Sequence, residues 1–312
     1  MTEQAKNIIE GIHKGRFGVE VEGNHITREN AAIIAAGYFS TNRYENTAAR
    51  NGYQTWSAWD SKGREWRFAK DVSIKGPDFQ KCELISPLLD YSELDFFLEL
   101  LRTLRRAGMR SRPQDLAGIH IHVNEDGHTA KSLKNLAYIM SAREQQIGQA
   151  IRLDKDRQNR YCRTVNPEFL KRLKKTNPKT MTELEKCWYG PISGRNQKYH
   201  NSRYACLNYH SLFQGKGIEF RCFQFQNPHD GKLGGIHGGE MHAYIQLVLG
   251  ISELAKQLRH ACPTPVKTDN EKFSFRTWLL RLGFIGPEFK TARTILLRNM
   301  DGDSAFRFGR DA

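Results

Sequence analysis

The chain has 312 residues, 39% apolar and 26% charged, which is material for one large globular domain or two modest ones and excludes a disordered or collagen-like chain. Forty-eight Lys and Arg against thirty-four Asp and Glu leave a formal charge of +14, a field that favours nucleotide phosphates, nucleic acid or carboxylate-rich substrates. The six cysteines stand far apart with no CxxC pair, so neither a zinc ribbon nor a disulfide scaffold is indicated, and thiols in a reducing cytoplasm are the simplest reading.

Met1–Gly11 lacks a signal peptide's apolar core, and no apolar stretch reaches the ~20 residues a spanning helix requires, so a soluble intracellular protein is expected. In RFGVEVEG, Arg16–Gly23, Phe17, Val19 and Val21 alternate with Glu20 and Glu22, which predicts a strand with both acids on one face. A helix follows from Thr27 through Ile33 and Ile34 to Gly37. Tyr53–Trp59 and Glu65–Ala69, separated by Asp60-Ser61-Lys62-Gly63, read as a hairpin. KCELISPL, Lys81–Leu88, is extended, and Ser92-Glu93-Leu94-Asp95 opens an amphipathic helix carrying Phe96, Phe97, Leu100, Leu101 and Leu104 before Gly108.

GIHIHVN, Gly118–Asn124, predicts a strand with His120 and His122 on the face opposite Ile119, Ile121 and Val123. A long helix spans about Ser132 to Ile151, followed by a cationic segment, Arg152–Lys175. Two extended runs, Arg203–Phe213 and Ile218–Gln226, flank the turn Gln214-Gly215-Lys216-Gly217. After a glycine-rich stretch, Gly231–Gly239, helices cover Glu240 to about His260, Phe273–Leu282 and Pro287 to about Asn299. Sheet elements in both halves argue for one α+β domain over 1–312, with a core of about 14–260 and a helical C-terminal region over 261–312.

Three predicted strands carry paired polar groups at i and i+2: Glu20 with Glu22, His120 with His122, and Glu219 with Arg221. On a solvated sheet face any one such pair is ordinary. If the three strands are neighbours, the pairs line one surface on which carboxylates with an imidazole suit Mg²⁺ or Mn²⁺. A zinc hydrolase built on the HxH pair would need two or three histidines on one ion with an open water position, which a surplus of Glu fits less well. Glu83 in CELISP adds an acid whose ordinary role would be an edge glutamate, and Asp71-Val72-Ser73 reads first as a turn. Arg157, Arg160 and Arg163 of RQNRYCR, with Arg203 and Asn208, could offer donors to phosphate or carboxylate oxygens, which Arg matches bidentately.

In order, FGVEVEG, DVS, CELISPL, GIHIHVN, SRYACLNYHSLF and GIEFR resemble the predicted amidoligase family, a branch of the glutamine-synthetase-like carboxylate–amine ligases. The resemblance extends to Ala243-Tyr244-Ile245-Gln246 and to DNEKFSFRTWLLRLG, and so covers most of the chain. It implies a twisted antiparallel sheet forming an open funnel, with ATP on one side and divalent ions bridging its phosphates. By motif, Glu20, Glu22, Glu83, His120 and Glu219 resemble metal ligands, His122 a residue near the ATP phosphates, and Arg221 a phosphate-stabilising arginine. The family's second acid beyond the CELISP region has no direct counterpart, and Asp71 is the candidate. The implied reaction joins a small-molecule or peptide carboxylate to an amine through an acyl phosphate, with ATP and Mg²⁺ or Mn²⁺ as cofactors. The alternatives are a metal-dependent hydrolase, a guanidino kinase-like phosphotransferase and a nucleic-acid-binding protein; no nucleic-acid motif supports the last.

Overall fold

The computed structural model describes residues 1–226 and 235–308, so the first part of the glycine-rich stretch Gly231–Gly239 lies outside the described residues. The fold is mixed α and β, and the chain clusters into two compact units. A sheet unit holds Arg16–Ile121 and Phe223–His242; a helical unit holds Met1–Gly15, His122–Cys222 and Ala243–Ala312.

Helix α1 (Glu3–His13) belongs to the helical unit and is capped by the Thr2 hydroxyl, which accepts from Ala5 N at 3.2 Å. The sheet unit opens with β1 (Arg16–Gly23) and α2 (Arg28–Tyr38), the latter capped by Thr27. The buried face of α2 is alanine, Ala31, Ala32, Ala35 and Ala36, whereas Ile33 is 39% exposed. Small side chains let the helix backbone approach the sheet, so the isoleucines of this helix are not its core face. Next come β2 (Tyr44–Asn46), α3 (Ala48–Asn51) and the expected hairpin, β3 (Trp56–Trp59) with β4 (Glu65–Ala69). They are followed by β5 (Cys82–Ile85), β6 (Leu89–Asp90) and α4 (Leu94–Arg106). The capping box ahead of α4 is formed by Asp90 and Glu93 and not by Ser92 and Asp95, because a short turn over Tyr91–Glu93 precedes the helix. β7 (Ile119–Val123) begins in this unit.

Within the sheet unit the strand order is β2-β3-β4-β5-β1-β7, with β6 pairing the start of β1. The ladder from β2 to β1 is antiparallel throughout. One face packs on α2 and α4: Phe17, Val21, Ala58, Trp66, Phe68 and Leu84 are fully buried, and the Trp66 ring stacks 6.2 Å from Phe97. Burial of such aromatic and aliphatic side chains at roughly 1.5–3 kcal/mol each fixes which strand residues point to the helices. The alternate residues therefore share the other face.

The helical unit continues with α5 (Ala130–Ala150), α6 (Lys155–Tyr161), α7 (Pro167–Thr176) and α8 (Met181–Tyr189). Then come β8 (Leu207–Asn208), α9 (Tyr209–Phe213) and β9 (Ile218–Phe223), which ends at the unit boundary, and finally α10 (Gly238–Gln257), in this unit from Ala243 onward, α11 (Glu271–Arg281) and α12 (Lys290–Leu297). Arg203–Phe213 is thus not one extended run: only Leu207–Asn208 pairs with β9, and the chain then turns helical. The Asn208 side chain causes the change by accepting from His210 N at 2.8 Å, an N-cap on α9. Gly217, at φ +79, closes the connection to β9; a Cβ there would lie 2.8 Å from the Val123 carbonyl oxygen. Among the described residues no helix is long and apolar enough to cross a membrane.

On α5, Glu144 accepts from Val165 N at 2.8 Å, and burial pushes its carboxyl up to about 7 from the usual 4.5. The folded chain therefore holds this proton more tightly than the unfolded chain, so its contribution to stability is full below about pH 4.5 and is lost as pH rises through about 7. Glu144→Gln keeps the acceptor and removes the titration. Between those two pH values the urea midpoint of the wild type should fall relative to that of the variant, and a constant difference between them would contradict the buried-carboxyl account.

Candidate active site

Cross-strand register builds the acidic cluster of the sheet unit. Glu22 on β1 stands directly opposite Glu83 on β5, which stands opposite Ala69 on β4, while Glu20 is opposite Ile85. Each acid alternates with a core residue, Val19, Val21 or Leu84, so all three carboxylates share the face away from the helices. The backbone of Gly118 clasps Glu22 twice: its carbonyl accepts from Glu22 N at 3.0 Å and its N–H donates to Glu22 Oε2 at 2.6 Å. His120 Nδ1 lies 2.8 Å from Glu20 Oε2, and its Nε2 lies 3.4 Å from Glu22 Oε1. Asp71 Oδ1 accepts from Ser73 N at 2.6 Å, an Asx turn that fixes this loop carboxylate.

Two overlapping donor groups result, Glu20–Glu83–His120 and Glu22–Asp71–Glu83, each offering three ligand atoms within 4.8 Å of one another. Glu22 and His120 are each only 3% exposed. Like charges directly opposite each other on adjacent strands destabilise a sheet, and carboxylates this close favour a cation among them. Gly23 completes the strand: a Cβ there would lie 2.8 Å from the Arg110 carbonyl oxygen, which bonds Asn24 N.

The helical unit carries a second polar constellation. Asn208 on β8 and Glu219 on β9 are register partners, and Asn208 Nδ2 donates to Glu219 Oε2 at 2.6 Å. Arg221 Nη1 donates to Glu219 Oε1 at 2.5 Å. All three residues are at most 5% exposed, so the pair is a desolvated, charge-assisted contact. Arg157, 1% exposed, donates from Nη2 to the Arg221 carbonyl at 3.1 Å and so supports β9 from within the core. His122 Nδ1 lies 3.1 Å from the Lys216 carbonyl oxygen.

The sequence matches a family model described as "Putative amidoligase enzyme" over residues 13–252. The chain belongs to this family. Amidoligases join a carboxylate to an amine, so membership supports an enzyme of the ligase class. No curated protein matches the chain. Among solved structures it is similar to a bifunctional glutathione synthetase from Pasteurella multocida, at 14% identity and a TM-score of 0.42 over 95% of this chain and 49% of that one. The chain thus spans about half the length of that structure.

In this amidoligase chain the structure gathers Glu20, Glu22, Glu83 and His120 with Asp71, and joins Asn208, Glu219 and Arg221. The other basic candidates are arranged differently. Arg163 is exposed and bonds Asn201 Oδ1 at 2.9 Å and the Asn201 and Tyr204 carbonyls. Arg203 lies over Tyr199 and Tyr204, with its guanidinium carbon 5.5 and 5.6 Å from the ring centroids, and Arg221 lies 6.0 Å from the Tyr204 centroid. Arg160 is exposed, and among the described residues its side chain makes no hydrogen bond or ion pair. Sequence reasoning missed the Gly118 clasp on Glu22, for which a glycine opening the HxH strand was the available signal.

Asn208 serves both Glu219 and the N-terminus of α9, so Asn208→Ala should lower unfolding free energy by about 1–3 kcal/mol. Asn208→Asp keeps the cap but sets a second carboxylate against Glu219. Urea titrations should show Asn208→Asp less stable than the wild type at neutral pH, with the gap narrowing as the solution is acidified through the carboxylate range. A gap independent of pH would argue that the Asn208–Glu219 contact is not electrostatic in origin.

Proposed function

We propose that the chain is an ATP-dependent carboxylate–amine ligase working on a glutamine-synthetase-like sheet. The observation that carries this reading is the pair of three-ligand groups sharing Glu83, placed on one sheet face by the opposition of Glu22 and Glu83. Four carboxylates with one imidazole form an oxygen-rich donor set that suits Mg²⁺ or Mn²⁺ better than zinc. A zinc centre on the HxH pair would need both rings on one ion, whereas His120 is grouped with Glu20 and Glu83 and rests Nδ1 on Glu20. Glu20, Glu83 and His120 would hold one divalent ion, and Glu22, Asp71 and Glu83 a second. When bound, such ions offset the charge on the phosphates of ATP.

In the reaction proposed, the acid's carboxylate oxygen attacks the γ-phosphorus of ATP and ADP leaves, giving an acyl phosphate. The amine then attacks the acyl carbon, phosphate departs, and the amine's proton passes to a base. The chain's contribution is to fix carboxylate positions before substrate arrives: Gly118 anchors Glu22, Ser73 anchors Asp71, and His120 Nδ1 contacts Glu20. For Glu219 as a metal ligand, Arg221 and His122 as phosphate contacts, and Arg203, Asn208, Arg160 and Arg163 as supporting donors, the support is motif order and residue chemistry.

Because Glu83 is shared, Glu83→Gln should weaken Mn²⁺ binding at both positions, whereas Glu20→Gln should spare one. Electron paramagnetic titration of free Mn²⁺ counts them. In parallel, hydroxamate formation from ATP, Mg²⁺, hydroxylamine and a panel of acids should fall in both variants by a factor on the order of 100 or more, the scale of a lost electrostatic stabiliser. Full activity in either variant, or hydrolysis that proceeds without ATP, would sink the ligase reading.

A further inference from the structure

Arg67 lies on β4 on the same face as the acidic cluster. Pairing of β3, β4, β5 and β1 places Ser57, Arg67, Ile85 and Glu20 in one row, beside the row Ala69, Glu83 and Glu22. Arg67 is half-buried, yet among the described residues its side chain makes no hydrogen bond, ion pair or ring contact. The other arginines of the sheet unit that are not exposed are all held. Arg28 donates to the Gln54, Asp78 and Lys81 carbonyls, Arg64 to Asp60 and Glu93, Arg110 to the Arg105 and Met109 carbonyls, and Arg112 to Asp115.

The acids near Arg67 do not occupy it. Glu65, two residues earlier on the same face, has Oε1 taken by Arg50, Asn51 and Ser57 at 2.7, 3.0 and 2.7 Å. Glu83 is a diagonal neighbour, at roughly 7–8 Å for such positions, within reach of a long side chain, but no ion pair joins the two. A half-buried guanidinium with no side-chain partner among the described residues keeps its five N–H donors available to an anion's oxygens. Between Arg67 and Glu20 lie two strand spacings, on the order of 10 Å, floored by Ile85 with Ala69 alongside.

We propose that Arg67 binds a second carboxylate of the acid substrate, so that the acid is a dicarboxylate lying across β4, β5 and β1 with its reacting end at the acidic cluster. The proposal rests on the ligase reading for which end reacts. A single planar fork matches one carboxylate bidentately, and a short apolar floor suits a few methylenes; a triphosphate would call for several cations. The acid would thus span from the strands bearing Glu20 and Glu83, which would hold divalent ions, to an arginine that holds its second carboxylate directly.

The test uses the full chain and Arg67→Ala, with Arg67→Lys as a variant that keeps charge but loses the fork. Calorimetric titration in Mg²⁺ with a diacid series from malonate to adipate, L-aspartate, L-glutamate, pentanoate and a non-hydrolysable ATP analogue separates the ligands. Expected is tighter binding of at least one diacid than of pentanoate, weakened about tenfold or more in Arg67→Ala and partly in Arg67→Lys, the order of one lost charge-assisted contact. Binding of the ATP analogue should be unchanged. Loss confined to the ATP analogue would move Arg67 to the nucleotide, and equal diacid binding in wild type and Arg67→Ala, or no preference over pentanoate, would overturn the proposal. Hydroxamate assays with the same acids address the ligase reading separately: a diacid that binds through Arg67 but is never activated sinks that reading and leaves the carboxylate site standing.

Discussion

Glu22 and Glu83 face each other across two adjacent strands of a sheet whose other face is a closed aromatic and aliphatic core, and this opposition governs the rest of the site. A one-residue slip between β1 and β5 would turn Val21 or Leu84 out of the core and the acids into it, so the hydrophobic alternation that stabilises the fold also holds two like charges together. The core supplies the free energy, and the acidic face uses part of it. The clasp by Gly118 and the Asx turn at Asp71 then limit the ways the carboxylates could splay apart to relieve repulsion. A sheet arranged in this way is poised for cations rather than for solvation of each acid separately.

The helical unit solves a related problem differently. Glu219 is buried, and its two oxygens are satisfied by Arg221 and Asn208, so the charge is compensated within the chain. Buried pairs of this kind contribute little net stability but are costly to break, which makes them good at fixing geometry. Here the geometry is fixed from two sides, because Asn208 also starts α9 and Arg157 donates to the backbone of Arg221. The two constellations thus differ physically: one gathers acids with a single imidazole, and the other matches an acid to its donors.

The parts legible in the sequence were those with a short period. VEVE, ELI and IHIH alternate, and in each the buried members, Val19 and Val21, Leu84, Ile119 and Ile121, dictate where Glu20, Glu22, Glu83 and His120 point. What was illegible depends on contacts distant in sequence or on a single cap. Arg203–Phe213 has the composition of a strand, and only the Asn208 side chain bonding His210 N converts its second half to helix. Asp71 sits in a loop without periodicity, and its meaning comes from the β4–β5 pairing that places Ala69 opposite Glu83 nearby. By sequence Arg157 stands with Arg160 and Arg163 of RQNRYCR as a donor to phosphate or carboxylate oxygens, yet the cap formed by Asp154 on α6 begins the turn that carries its side chain into the core.

On the ligase reading proposed above, the row containing Arg67 would keep metal binding and substrate choice on separate strands of one sheet. Glu20, Glu22 and Glu83 sit on the two strands β1 and β5, whereas Arg67 sits on β4, one strand further toward the β2 edge. The β4–β5 register is secured by Phe68 against Leu84 on the core face, so neither side chain of that pair need change when Arg67 does. Substituting Arg67 alters the charge at one end of the row and leaves the carboxylate opposition intact. Under that proposal the acid accepted at β4 would change with residue 67 without disturbing the cluster between β5 and β1, as when sites vary on a fixed fold.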